Sequence, residues 1–153
     1  MSFAARFFSR PAPLFGFVVF IAIVVIALAA PLLFSHGPMA IVGMPLRPPG
    51  AGLLAGSDVI GRDMAVGLAY GARISLTVSL VAIGIAGSIG TSIGVIAGYK
   101  GGWTDRIFMR IVDLALSIPV ILLALLFGVV FGPSFTNVVA VIALVLWSQY
   151  ARM

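Results

Sequence analysis

Two stretches of this chain, Leu14 to Phe34 and Ile74 to Ala97, run for 21 and 24 residues without a single charged side chain. A helix rises about 1.5 Å per residue and the hydrocarbon core of a bilayer is about 30 Å thick, so roughly 20 apolar residues cross it. Two such runs in 153 residues leave little room for a water-solvated fold. Composition agrees: 62% of positions are hydrophobic and 8% charged, where a soluble domain carries about 25% charged residues. The chain lacks the polar surface that water would require.

The first run follows Arg6, Arg10, Pro11 and Pro13 and closes near Pro31, which suits a helix end better than its interior. Ala27, Leu28 and Ala29 resemble a signal-peptidase site, but the run is longer than a cleaved leader's apolar region, so an uncleaved anchor is the reading. Arg73 and the Gly98 to Gly102 segment bound the second run. A third, Leu114 to Phe131, holds 18 residues; Thr104 is its expected N-cap and Gly132 and Pro133 its stop. Phe135 to Tyr150 makes a fourth span, shorter at its apolar centre, with Trp147, Tyr150 and Arg152 as an interfacial anchor.

Four spans place Arg6, Arg10, Lys100, Arg106, Arg110 and Arg152 on one side and Arg47, Arg62 and Arg73 on the other. Basic residues accumulate in short cytoplasmic segments, so the N-terminus is expected in the cytoplasm and residues 35 to about 66 outside. The net charge of +5 therefore marks topology, and nucleic acid is not an expected partner. With no cysteine, a lone His36 that reads as a solvated loop residue, and scattered aspartates, neither a metal site, a cofactor nor an intramembrane active site is expected.

Within the second span, Ala82, Ala86, Gly90, Gly94 and Gly98 recur every four residues and form a stripe of tiny side chains. Such a stripe lets another backbone approach closely, either within this chain or on a partner. At the third span, Arg106, Arg110, Asp113 and Ser117 share one helix face. Asp113, near Arg110, is expected to form an interfacial ion pair; with Ser117 and Pro119 it is also a candidate for gating or for the transport path. Pro119 should kink the helix near Ala115. Gly56, Ser57, Asp58, Gly61, Arg62 and Asp63 read as turn chemistry, with Asp63 capping a short interfacial helix before the second span.

Taken in order, AAPL (Ala29 to Leu32), GSDVIGRD (Gly56 to Asp63), YGARISL (Tyr70 to Leu76), GVIAGYKGGWTDRIFMRIVDLALSIP (Gly94 to Pro119), FGPSFTN (Phe131 to Asn137) and WSQYAR (Trp147 to Arg152) resemble one family. It is the DppC/OppC-like group of inner-membrane permease subunits from bacterial peptide and nickel ABC importers. Val66 and Gly67 depart from a Ser-Arg pair usual in that group.

The resemblance implies an all-α, polytopic membrane helical bundle: about four transmembrane helices of a type-1 importer permease, truncated before the cytoplasmic EAA loop that docks on the ATPase. Residues 1–66 would be the N-terminal region with the first span and outer loop, and 67–153 a partial type-1 transmembrane domain. It also implies membrane lipid, a sister permease, two ATP-binding subunits and an extracytoplasmic substrate-binding protein as partners. Consistently, the chain has no GxxxxGK[ST] phosphate loop of its own. Dipeptide, oligopeptide and nickel stand open as substrates, and a small multi-span assembly protein without transport activity is the competing reading.

Overall fold

The computed structural model describes residues 10–50 and 52–153, so Arg6 of the topology count lies outside the described residues. Among them the chain forms five α-helices and no extended strand: α1 (Pro11–Leu33), α2 (Met64–Lys100), α3 (Gly102–Ser117), α4 (Val120–Phe131) and α5 (Phe135–Arg152). The all-α, polytopic expectation is met. Three helices, α1, α2 and α5, are long and apolar enough to cross a membrane, and α3 with α4 makes a fourth if that bent pair is one span.

Each helix starts and stops for a local reason. Pro11 opens α1, where its missing N–H costs nothing, and Pro31 falls in the last turn, with the Phe34 amide donating to the Ala30 carbonyl at 3.1 Å. Asp63 caps α2: its Oδ1 accepts from the amides of Ala65 at 2.8 Å and Val66 at 3.4 Å. No short interfacial helix is set apart, because α2 continues unbroken for 37 residues, about 55 Å. Arg73 tells where lipid should end; it does not stop a helix.

The chain turns between α2 and α3 on Gly101 and Gly102, both at positive φ, so Gly101 and not Thr104 is the N-cap of α3. At Pro119 the expected kink is a full break. A residue preceding proline is pushed out of the helical region, and Ile118 sits extended at φ −80° and ψ 123°. The axes of α3 and α4 differ by 76°. Ser134 then caps α5, its Oγ accepting from the Asn137 amide at 3.2 Å, while Asn137 Nδ2 donates to the Gly132 carbonyl at 2.7 Å.

The chain divides into two compact units, and the division, between Leu76 and Thr77, falls inside α2. In both, small residues are inside and large apolar ones outside. Ala27, Ala30, Val66 and Ala69 are buried in the first unit, and Ala82, Ala86, Ala97, Val112 and Ala151 in the second. Phe15, Leu80, Leu122 and Val129 stand exposed. Soluble proteins bury their large side chains; helices in lipid gain nothing by doing so and associate through small residues instead. Hydroxyls obey the same logic: Ser88 and Ser92 Oγ donate to the carbonyls of Gly84 and Ser88, four residues back, at 2.7 and 2.6 Å.

Candidate functional site

The small-residue stripe of α2 packs against α5 of the same chain. Ala82, Ala86 and Gly90 are buried. A Cβ built on Gly90 would collide with the Trp147 carbonyl oxygen and lie 2.6 Å from Tyr150 Cβ; one on Gly94 would lie 2.8 Å from the Ala151 carbonyl oxygen. Gly98 has nothing within 4 Å, and Ala97 is buried in its place. A four-residue repeat gains about 40° per step on a helix of 3.6 residues per turn. Relative to Gly90, Gly98 is therefore turned by about 80° while Ala97 returns to within about 20°, and it is Ala97 that is buried. Beside the seam, Ile85, Ile89, Ile93, Ala143, Leu144 and Trp147 line an apolar groove of about 520 Å³.

Where α3 meets α5, Arg152 Nη2 donates to Asp113 Oδ1 at 2.6 Å. The partner of Asp113 is thus the arginine at the end of α5, and not Arg110 one turn earlier on its own helix. Ser117 Oγ turns back to the Leu114 carbonyl at 2.7 Å, closing the last turn of α3 just before the break at Ile118 and Pro119. Asp113, Ser117 and Pro119 therefore lie at one place in the fold: an ion-paired helix end followed by a non-helical joint.

Both members of the ion pair are about half exposed, so their coupling is that of a screened surface pair. A double-mutant cycle with Asp113→Asn and Arg152→Gln, read by thermal unfolding in micelles, should give about 0.5–1 kcal/mol. The cycle pairing Asp113→Asn with Arg110→Gln should give close to zero; equal values would place the contact wrongly.

In the first unit, the α1–α2 loop is knotted around Ser57 and Asp58. Ser57, buried, donates its Oγ to the Met44 carbonyl at 2.7 Å and accepts from the Arg47 amide at 2.9 Å. Asp58 Oδ1 accepts from the amides of Arg62 at 2.8 Å and Ile60 at 2.9 Å. Those bonds, Arg62's first, hold the Asp58 carboxyl below the usual carboxylate range. His36 is not freely solvated as expected: it is half-buried, with Nε2 3.7 Å from Asp63 Oδ2 and no hydrogen-bond partner. Among the described residues no group of three metal-ligating side chains occurs.

Residues 90–153, which contain Gly94, Asp113, Pro119 and Arg152, match the family model for the binding-protein-dependent transport system inner membrane component. The chain is 51% identical over 100 residues to the dipeptide transport system permease protein DppC of Escherichia coli K12, covering 65% of this chain and 33% of that protein. It is 35% identical over 137 residues to the probable D,D-dipeptide transport system permease protein DdpC of the same organism, covering 89% and 46%. A putative peptide permease of Brucella ovis is 34% identical over 151 residues, covering 98% and 50%. The chain thus spans between a third and a half of the length of these curated relatives.

Proposed function

We propose, from the chain's similarity to the binding-protein-dependent transport system inner membrane component and to DppC-type permeases, that it forms the membrane-crossing part of a peptide importer's permease subunit. The observation that carries this reading is the 51% identity with a dipeptide permease. The substrate class is peptide, of dipeptide or oligopeptide size, and the work is movement across a membrane with no covalent step. Residues 1–66 serve as the anchor and outer loop, and 67–153 as the portion of the type-1 transmembrane domain present in this chain.

In this reading the protein sits in the bacterial inner membrane with its N-terminus in the cytoplasm. A sister permease completes the path, an extracytoplasmic binding protein delivers substrate and two ATP-binding subunits supply the energy. Nucleotide acts by favouring one of two helix arrangements. Two features of the second unit support such a role. The α2–α5 seam is close-packed at Gly90 and Gly94, where any side chain would meet α5. The joint at Ile118 and Pro119 interrupts the helical hydrogen bonds between α3 and α4, and the Asp113–Arg152 pair links α3 to α5 on one side of it.

Uptake of a radiolabelled dipeptide tests the proposal in cells deleted for the gene and then complemented with it. Uptake should fall at least about tenfold on deletion and return on complementation, with nickel accumulation unchanged. A nickel defect without a peptide defect would reassign the substrate. Unchanged uptake of both would favour an assembly protein.

A further inference from the structure

The exposed half of α3 carries two strips that run side by side. At 3.6 residues per turn, Arg106 and Arg110 fall on one strip, Ile107, Ile111 and Leu114 on the adjoining one, and Trp103 on the line between them. Trp103 is 73% and Leu114 68% exposed, while Val112 on the opposite side is fully buried. The Arg106 guanidinium lies 5.4 Å from the centre of the Trp103 ring. The two acids of α3 do not neutralise this strip, because Asp113 is engaged by Arg152 and Asp105 lies on the side of Val112.

Direction adds a second constraint. The apolar strip of α3 leads into α4, whose Leu122, Leu125, Leu126 and Val129 are all exposed. In a chain inserted in a bilayer, an apolar surface of that kind suits hydrocarbon. Since α3 turns 76° from α4, α3 runs across the direction in which α4 is inserted, which lays it along the boundary of the bilayer. Its apolar strip then faces the acyl chains and its arginine strip the phosphate level, with Trp103 at the depth tryptophan prefers.

We infer that the Trp103–Arg106–Arg110 strip of α3 is a binding surface for anionic phospholipid headgroups. Arginine pairs with phosphate through two parallel hydrogen bonds, and exposed Lys100 at the end of α2 adds charge beside it. This rests on the membrane insertion of the proposed importer, though not on its substrate or orientation.

The test uses the whole chain in vesicles of phosphatidylcholine containing phosphatidylglycerol, with bromine on the acyl chains of one lipid or the other. Trp147→Phe leaves Trp103 as the sole tryptophan, excited at about 295 nm apart from the tyrosines. Brominated phosphatidylglycerol should quench Trp103 with a preference on the order of 5-fold over brominated phosphatidylcholine, falling toward 1 in 1 M salt. Arg106→Gln with Arg110→Gln should abolish the preference, and Arg106→Lys with Arg110→Lys should keep most of it. Equal quenching by the two lipids, or a preference that survives the double glutamine variant, would overturn the inference. Trp103 quenched by neither would do the same and point to a protein partner. The Trp103→Phe variant reports insertion separately: if Trp147 is also unquenched, the membrane reading itself fails.

Discussion

Gly90→Ala is expected to weaken the α2–α5 packing by about 2–3 kcal/mol, the cost of forcing atoms into a filled interface. The added methyl meets the Trp147 carbonyl, the Tyr150 Cβ and, at 3.0 Å, the Ala151 amide nitrogen. Backbone cannot rotate aside as a side-chain tip can, so the helices must separate, and every contact along the seam loosens with them. Gly94→Ala should cost somewhat less, because its methyl would meet a single carbonyl group, that of Ala151. Gly98→Ala should lose nothing and gain up to about 1 kcal/mol of helix propensity, and Val95→Leu should change stability by less than about 0.5 kcal/mol. Gly98 has open space around it and Val95 is 64% exposed. Reversible unfolding in detergent micelles, followed by helical circular dichroism, measures the series. Equal losses at Gly90 and Gly98 would remove the seam from the structure.

Gly61→Ala is expected to undo the α1–α2 loop. Gly61 has a φ of +82°, a region that costs an ordinary residue about 1–2 kcal/mol. Its Cβ would also strike the Gly43 carbonyl oxygen, and Ile41 Cγ2 would stand 3.3 Å away. The two costs add to about 3 kcal/mol, enough to raise local opening about 100-fold. Two amides report it: Val42 donates to the Gly61 carbonyl at 2.9 Å and Leu46 to the Asp58 carbonyl at 3.0 Å. Their hydrogen exchange should accelerate together by about that factor. Gly52 provides the comparison, because it shares the positive φ, +89°, but has nothing within 4 Å. Gly52→Ala should therefore show only the conformational part, roughly tenfold. Equal effects at both positions would mean that the approach to Gly43 is not what holds the loop.

The membrane class, the ends of α1 and α5 and the stripe of small residues are legible in the sequence, because each follows from local composition and spacing. Long-range partners are not. Asp113 lies three residues from Arg110, and proximity along the chain favours that pair; the 39-residue return through α4 and α5 brings Arg152 to it instead. Gly98 fits the four-residue repeat, yet the helix period turns it into open space and Ala97 is the residue buried at that level. Pro119 signals a disruption, but its size depends on Ile118, whose backbone the proline forces into the extended region. Arg73 marks a boundary of hydrophobicity that the helix ignores. Ser57 gains its partners only once the loop folds back on Met44 and Arg47, and His36 only once Asp63 returns to it, a register that no short-range pattern announces.

Cysteine accessibility reads the threading of the chain directly. Leu54, 81% exposed, and Tyr99, 92% exposed, lie beyond opposite ends of the apolar run in α2. In intact cells, a membrane-impermeant maleimide should label Leu54→Cys at once and Tyr99→Cys only after the inner membrane is opened. Labelling of both from outside, or of neither until the membrane is opened, would contradict a chain that crosses the bilayer between them.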